Sequence, residues 1–132
     1  MVLVVEDEHD IATFLRAYFR ASGTDVVHLD PTSPADVAAA VVDHDPSCVL
    51  LDLNLRGFNG LDAYREMRAG GSDTPVIIVT ADPNPKTHKT ALQEGVAAIV
   101  HKPFSAKELY SLVIAQMAKA AQPRRARPLR PR

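Results

Sequence analysis

Short, continuous runs of apolar residues alternate along the chain with longer segments of helical periodicity. Three of the runs are uninterrupted by any polar residue: Val2 to Val5, Cys48 to Leu51 and Val76 to Val79. Uninterrupted runs of this length are typical of strands that are covered on both faces of a parallel sheet. Asp25 to Leu29 and Val96 to Val100 are of similar length and contain β-branched residues, so they predict two further strands.

The segments between the runs carry apolar residues three or four positions apart, which predicts amphipathic helices. The predicted helices lie near residues 9–22, 34–44, 60–69, 86–94 and 105–120. Strict alternation of β and α units implies right-handed crossovers. The pattern therefore predicts an α/β fold with a doubly wound parallel sheet of five strands.

Residues at the predicted helix ends agree with these boundaries. Ser33-Pro34 has the form of an N-cap followed by a first-turn proline, and the segment from Ser105 to Glu108 has the form of a capping box. A left-handed residue is expected after several of the helices, where glycine is favoured. The glycines in these positions are Gly23, Gly70 and Gly95.

Size and composition describe an ordinary globular chain. The 132 residues, 46% hydrophobic and 23% charged, suit one compact domain with a single core. No apolar stretch approaches the roughly 20 residues that cross a bilayer, and the N-terminus lacks the form of a signal peptide. The single Cys48 cannot form an internal disulfide or a multi-cysteine metal site, which favours a reducing compartment and predicts a cytoplasmic protein.

Charge is distributed unevenly along the chain. The overall net charge is −1, but residues 119–132 contain six basic residues and no acid, which leaves nine basic and 16 acidic residues in 1–118, a net charge of −7. An acidic domain is a poor candidate for nucleic-acid binding by itself. We therefore expect a folded domain over 1–121 and a disordered, basic, Pro- and Arg-rich tail over 122–132.

Reactive side chains collect where the predicted strands end. Glu6 and Asp7 follow the first run and Asp52 ends the third, while Thr80 and Lys102 end the fourth and fifth. In an open α/β sheet, ligands bind beyond the carboxyl ends of the strands, so we expect these side chains to lie at one edge. Each alone is more simply a capping or loop residue, and it is the joint occurrence that predicts a site.

Three carboxylates at one edge require a positive partner, either a divalent cation or an ammonium group. Their hard oxygens suit Mg²⁺, and the five histidines show no spacing typical of a zinc site. A carboxylate beside magnesium, a hydroxyl and a lysine favours phosphoryl transfer, with an aspartate as the covalent acceptor.

At these residues the chain resembles the receiver domain of bacterial two-component response regulators, from residue 2 to about residue 120. The resemblance depends on four segments in order: Val4-Val5-Glu6-Asp7-Glu8, Leu50-Leu51-Asp52-Leu53-Asn54-Leu55 with Gly60 eight residues after the aspartate, Val79-Thr80-Ala81, and Lys102-Pro103-Phe104. It implies a flavodoxin-like, chemotaxis-regulator-like fold with the strand order 2-1-3-4-5.

The resemblance also implies a role for each of these residues. Asp52 would be the phosphoacceptor, and Thr80 and Lys102 would contact the phosphoryl oxygens. Mg²⁺ would be bound by Glu6, Asp7, Asp52 and the backbone carbonyl of Asn54. Asn54 and Asp82 would modulate how long the phosphoryl group lasts, and the Lys102–Pro103 peptide bond would be cis. Glu8 lies outside the motif, and we interpret it as an acid at a helix start.

Two positions depart from the family pattern. Arg56 stands where proline is usual, four residues after the acceptor, which affects the rigidity of the loop. Ile99 stands three residues before Lys102, where the family commonly has an aromatic side chain that swings inward with the threonine. The switch pair in this chain is therefore Thr80 and Ile99, and we expect the change to pass mainly through Thr80 and the loop after it.

The function that the resemblance implies is a phosphorylation-dependent signalling switch, not a metabolic enzyme. It would accept a phosphoryl group from a sensor histidine kinase or a histidine phosphotransfer protein, hydrolyse it slowly, and act on a downstream protein effector. The alternative is a phosphate-independent interaction module of the same fold. A phosphatase similar to the haloacid dehalogenase family would need a second aspartate where Asn54 stands. No effector domain follows residue 122, so we expect a single-domain regulator or a receiver from a longer protein.

Overall fold

The apolar runs form the strands of one parallel sheet in a computed structural model that describes residues 1–120. The strands are β1 (Val2–Val5), β2 (Val26–Leu29), β3 (Cys48–Asp52), β4 (Asn54–Leu55), β5 (Phe58–Asn59), β6 (Val76–Thr80) and β7 (Ala98–His101). The helices are α1 (His9–Ala21), α2 (Pro34–His44), α3 (Gly60–Ala69), α4 (Pro85–Glu94) and α5 (Ala106–Ala120). The expected tail over 122–132 lies outside the described residues.

The main sheet has five strands in the order β2-β1-β3-β6-β7, and every neighbouring pair is parallel. Counted along the chain without the short β4–β5 pair, this is the order 2-1-3-4-5, which confirms the predicted doubly wound fold. Asp52 on β3 is level with Val79 on β6, and Thr80 is level with His101 on β7. The strand ends that carry the reactive residues are thus neighbours.

Helices cover both faces of the sheet, which explains why the strands are apolar without alternation. On one face, α1 and α5 pack Leu15, Phe19 and Leu109 against the sheet. On the other face, α2 and α3 contribute most of the helical side chains, including Val37 and Met67, and α4 adds Ala91. Every residue of β1, β3 and β6 is buried, so the central strands hold the carboxyl edge of the sheet on a rigid base.

The predicted helix ends are mostly confirmed. Ser33 Oγ accepts a hydrogen bond from the Asp36 N–H at 3.3 Å, and Ser105 Oγ accepts one from the Glu108 N–H at 3.3 Å. Gly23 and Gly95 have positive φ, but Gly70 does not, because its φ is −77° and the left-handed residue is Gly71 with φ of 92°. The prediction for Gly70 is therefore wrong by one residue.

A short antiparallel pair between β3 and α3 was not predicted. Asn54 pairs with Asn59 and Leu55 pairs with Phe58 in this two-residue hairpin, and the turn contains Gly57 with φ of 85°. The hairpin begins two residues after Asp52, with Leu53 between them. It therefore shapes the loop beside Asp52.

Cys48 lies at the start of the central strand β3 and is fully buried. Burial raises the pKa of its thiol to about 12, so the thiol is protonated and unreactive in the folded protein.

Among the described residues, no helix is long and apolar enough to cross a membrane.

Candidate acidic site at the carboxyl edge of the sheet

The fold brings three predicted carboxylates together. Glu6 and Asp7 follow β1, and Asp52 ends the adjacent strand β3. One oxygen from each carboxylate lies within 4.8 Å of those of the other two, and this is the one such potential metal-binding group in residues 1–120. Glu6 and Asp52 are only 3% and 4% exposed, whereas Asp7 is half-buried at the rim. The cluster is thus open to solvent on one side only.

Lys102 supplies the positive partner from the end of β7. Its Nζ donates to Glu6 Oε2 at 3.1 Å and to Asp52 Oδ2 at 3.2 Å, and its side chain is 13% exposed. The Lys102–Pro103 peptide bond is cis, as the resemblance implied. An ammonium between two buried carboxylates offsets their repulsion.

The electrostatic balance is visible in the pKa of Glu6. Burial, followed by the negative charge of Asp52, raises the pKa of Glu6 to about 7, against the lowering effects of the Glu8 N–H and Lys102. Burial acts to lower the pKa of Lys102, but the charges and hydrogen bonds of Asp52 and Glu6 outweigh it and raise that pKa above its usual value. Lys102 is therefore a permanent cation, and the site still has an excess of negative charge.

Thr80 ends β6 beside Asp52 and is completely buried. Its Oγ1 accepts a hydrogen bond from the Asp82 N–H at 2.9 Å, and its carbonyl accepts one from the Lys102 N–H at 2.8 Å. The hydroxyl proton is not used by the Asp82 contact, because Oγ1 is the acceptor there. Thr80 can therefore donate to a group that arrives at Asp52.

Gly60 allows the loop after Asp52 to close tightly. The Gly60 N–H donates to the Leu53 carbonyl at 2.6 Å, and a Cβ at position 60 would overlap the Asp52 carbonyl oxygen. A residue with a side chain would therefore clash at position 60, eight residues after Asp52, which explains the glycine there. Asn54, exposed at the start of β4, donates its N–H to Asp52 Oδ1 at 3.1 Å, so the Asp52 carboxylate is bound at one oxygen by Asn54 and at the other by Lys102.

Three further side chains reach the site, and the sequence did not predict them there. Glu8 occupies the N-cap position of α1, but its side chain makes no capping hydrogen bond to the helix. Its Oε1 lies 3.6 Å from Lys102 Nζ. Our interpretation of Glu8 as only a helix-start acid is thus incomplete. Arg56 Nε lies 3.8 Å from Asp7 Oδ2, and His28 Nε2 contacts the Glu6 carbonyl at 2.7 Å. These contacts join positions far apart in the chain, and no local pattern signals them.

The two remaining predicted positions flank the site. Asp82 lies half-buried in the loop between β6 and α4, and its Oδ1 accepts a hydrogen bond from the Asn84 N–H at 2.9 Å. Ile99, in the middle of β7, is partly buried and packs against the core on the α4 side of the sheet. The Ile99 side chain is apolar, so it cannot form or lose a hydrogen bond when the surroundings of Asp52 change.

The arrangement can hold an anionic group attached covalently to Asp52. Asp52 offers a nucleophilic oxygen, and Lys102 and the Thr80 hydroxyl offer donors to oxygens around an attached group. Three hard carboxylate oxygens in one cluster suit a divalent cation that keeps several water ligands.

Comparison with known proteins identifies the family of this fold and site. The family model for the response regulator receiver domain matches residues 2–114. The chain is 36% identical over 118 residues to the DNA-binding response regulator MtrA of Mycolicibacterium smegmatis, covering 89% of this chain and 50% of that protein. It is 36% identical over 121 residues to the sensory transduction protein RegX3 of Mycobacterium bovis, covering 89% and 51%. The chain spans about half the length of these curated relatives.

Solved structures show the same fold. The signal receiver domain of a putative LuxO repressor protein from Vibrio parahaemolyticus superposes with a TM-score of 0.83 at 26% identity, covering 90% of each chain. The receiver domain of NtrX from Brucella abortus superposes with a TM-score of 0.80 at 26% identity, covering 89% of this chain and 98% of that one. Together with the family model over residues 2–114, these likenesses show that the chain belongs to the receiver domain family of response regulators.

Proposed function

We propose that this receiver domain is a phosphorylation-dependent switch in which Asp52 accepts the phosphoryl group. The observation that carries the proposal is the set of contacts on the Asp52 carboxylate. Asn54 N–H and Lys102 Nζ bind one oxygen each, within a cluster that includes Glu6 and Asp7. A buried aspartate held in this way has a fixed orientation toward the open rim of the site.

The transfer requires little from the protein beyond positioning and charge. A carboxylate oxygen of Asp52 attacks the phosphorus, the bond from phosphorus to the donor breaks, and the electron pair leaves with the donor. Lys102 and the Thr80 hydroxyl then contact the phosphoryl oxygens. Hydrolysis reverses the state: water attacks the phosphorus, the Asp52–phosphorus bond breaks, and inorganic phosphate leaves. Self-phosphorylation and autodephosphorylation are the only chemistry we propose.

Mg²⁺ is the cofactor that the donor set fits best. Glu6, Asp7 and Asp52 would hold it with the Asn54 carbonyl, and water and phosphoryl oxygens would complete its shell. When bound, the ion supplies positive charge that neutralises the phosphoryl oxygens. Lys102 already lies between Glu6 and Asp52, so it would share this neutralisation.

The proposed partners follow from the family. A sensor histidine kinase or a histidine phosphotransfer protein would donate the phosphoryl group, and a protein effector would read the state. The curated relatives include DNA-binding regulators about twice as long as this chain. Residues 1–118 carry a net charge of −7, so nucleic-acid binding by the domain alone is disfavoured. We place the protein in the cytoplasm, where a free thiol such as Cys48 is stable.

Incubation with acetyl phosphate and Mg²⁺ should add one phosphoryl group to the protein, and Asp52→Asn should abolish the addition. The amide is a poor nucleophile and cannot form the acyl phosphate. Intact-protein mass spectrometry measures the adduct, and chelation of the metal should also prevent it.

Asp43→Asn is the matched control, because Asp43 is exposed on α2. This variant should be labelled like the wild-type protein. Equal labelling of Asp52→Asn would show that the acceptor is wrong. A wild-type protein that is folded but never labelled, by acetyl phosphate or by any kinase, would favour the phosphate-independent interaction module.

Asn54 and Asp82 should set the lifetime of the phosphoryl group. Both side chains are short and polar at the open side of the site, so they leave access for the attacking water and can orient it. We expect autodephosphorylation on the faster side for receivers, and we expect Asn54→Leu or Asp82→Leu to slow it roughly tenfold or more. The decay of the adduct mass over time measures the rate. Asp43→Leu should leave the rate unchanged, and unchanged decay in both site variants would contradict the assignment.

A further inference from the structure

Two histidines on different elements meet beside the site. His88 is half-buried in the first half of α4, and His101 is the exposed last residue of β7. Their ring centroids lie 4.8 Å apart with an interplanar angle of 64°, which is an edge-to-face contact. The pair therefore joins α4 to the end of the edge strand.

His88 also binds the loop that follows Thr80. Its Nε2 lies 2.7 Å from the Asp82 carbonyl oxygen. Because a carbonyl can only accept, Nε2 carries the proton, and this fixes the tautomer of the neutral ring. The Asp82 residue whose carbonyl binds His88 is the same residue whose N–H binds Thr80 Oγ1 at 2.9 Å. A single residue thus separates the Thr80 hydroxyl from the imidazole of His88.

The other end of the pair is also connected to Thr80. Thr80 and His101 are level in the β6–β7 register, and the residue after His101 donates its N–H to the Thr80 carbonyl at 2.8 Å. The contacts therefore form a closed circuit from Thr80 through Asp82 and His88 to His101, and back across the strand pair. A displacement of Thr80 alters both ends of the histidine contact.

Ile99 cannot serve in this circuit, whereas His101 can. Alternate residues of a strand face the same side, so Ile99 and His101 both face α4, and the ring contact to His88 agrees with this. Ile99 is partly buried in the core and is apolar. His101 is exposed, and its ring can keep or release His88 without opening the core.

We propose that the His88–His101 pair is the contact through which a phosphoryl group on Asp52 changes α4, with His88 acting as a positioning residue for Thr80 through Asp82. The inference rests on the proposed function. When Thr80 moves to donate its hydroxyl proton to a phosphoryl oxygen, Oγ1 pulls on the Asp82 N–H from which it accepts a hydrogen bond. The Asp82 carbonyl then shifts against His88 Nε2, and the imidazole rotates on His101.

NMR of the uniformly ¹⁵N-labelled protein, with Mg²⁺ and beryllium trifluoride as the phosphoryl analogue, tests the proposal. The imidazole nitrogens of His88 and His101 should shift on addition of the analogue, together with the amides of residues 85–94. His101→Ala should reduce the α4 amide shifts at least twofold while the Asn54 amide responds as in the wild-type protein. His101→Phe, which keeps a ring, should restore most of the α4 response.

Variants at His88 separate positioning from simple packing. His88→Gln retains an N–H donor for the Asp82 carbonyl and should preserve the response of Thr80 and Asp82 amides, whereas His88→Ala should reduce it at least twofold. His44→Ala, at an exposed histidine at the end of α2, is the control and should change nothing. The inference would be overturned if the α4 amides of the His88→Ala/His101→Ala double variant shifted as much as those of the wild-type protein. It would also be overturned if the imidazole nitrogens of the wild-type protein did not shift on addition of the analogue. Failure of the Asn54 amide to respond would instead count against the proposed function.

Discussion

In metal-free buffer, the free energy of unfolding is expected to fall by about 3 kcal/mol as the pH rises from about 4.5 to about 7. The cause is Glu6, whose pKa in the folded protein is about 7, against an ordinary value of 4.5. A carboxyl with a raised pKa binds its proton more tightly when folded. Its contribution is therefore complete below the unfolded pKa and is lost as the pH passes the folded pKa. Urea denaturation at a series of pH values measures the change.

Glu6→Gln is the control for this effect, because the amide is buried at the same place without a titrating proton. The variant should lack this part of the pH dependence. Asp52→Asn removes the neighbouring charge that contributes to the raised pKa, so it should reduce the fall. Mg²⁺ should restore stability above pH 7, since the proposed site would bind it only in the folded, ionised form. An identical pH dependence in wild-type protein and Glu6→Gln would refute this assignment.

Gly60→Ala is expected to destabilise the protein by about 1–3 kcal/mol and to slow phosphorylation of Asp52 roughly 10- to 100-fold. The new Cβ would overlap the Asp52 carbonyl oxygen and lie 3.0 Å from the Leu53 Cα, and neither backbone atom can move without displacing Asp52. Thermal denaturation measures the stability, and the initial rate of adduct formation with acetyl phosphate measures the reactivity.

Gly70→Ala is the matched substitution at a glycine with space around it. Gly70 has φ of −77°, and a Cβ there would meet its nearest atoms at 3.5 Å, an ordinary contact. This variant should be unchanged or stabilised by about 0.4–1 kcal/mol, because alanine restricts the unfolded chain. If Gly60→Ala behaved like Gly70→Ala in both measurements, the steric role of Gly60 would be wrong.

Much of the fold could be predicted because its signals are local. The uninterrupted runs that became β1, β3 and β6 are long enough to identify, and Ser33 marks the start of α2 by its own side chain. The hairpin of β4 and β5 could not be predicted in this way, since each strand has two residues and no hydrophobic period. The left-handed residue at Gly71 could not be distinguished from Gly70, because adjacent glycines give the same signal.

The site was predictable to the extent that it consists of strand ends. Asp52 and Thr80 end parallel strands and Lys102 directly follows another, so topology alone brings them together. Glu8 and Arg56 reach the site through long side chains whose direction depends on helix and loop geometry, which the sequence does not display. The same limit applies to His88 and His101, which are 13 positions apart in the chain and meet only after α4 packs beside β7.

The burial of Cys48 gives the protein a labelling background free of reactive thiols in the native state. The sequence contains no other cysteine, and this one is shielded inside the central strand. A fluorophore or spin label attached through an engineered surface cysteine, for example at the exposed Leu92 of α4, would report from that position alone. Alkylation of Cys48 itself would occur only when the sheet opens and exposes the thiol. The rate of its alkylation under native conditions would therefore measure how often the domain unfolds far enough to expose its central strand.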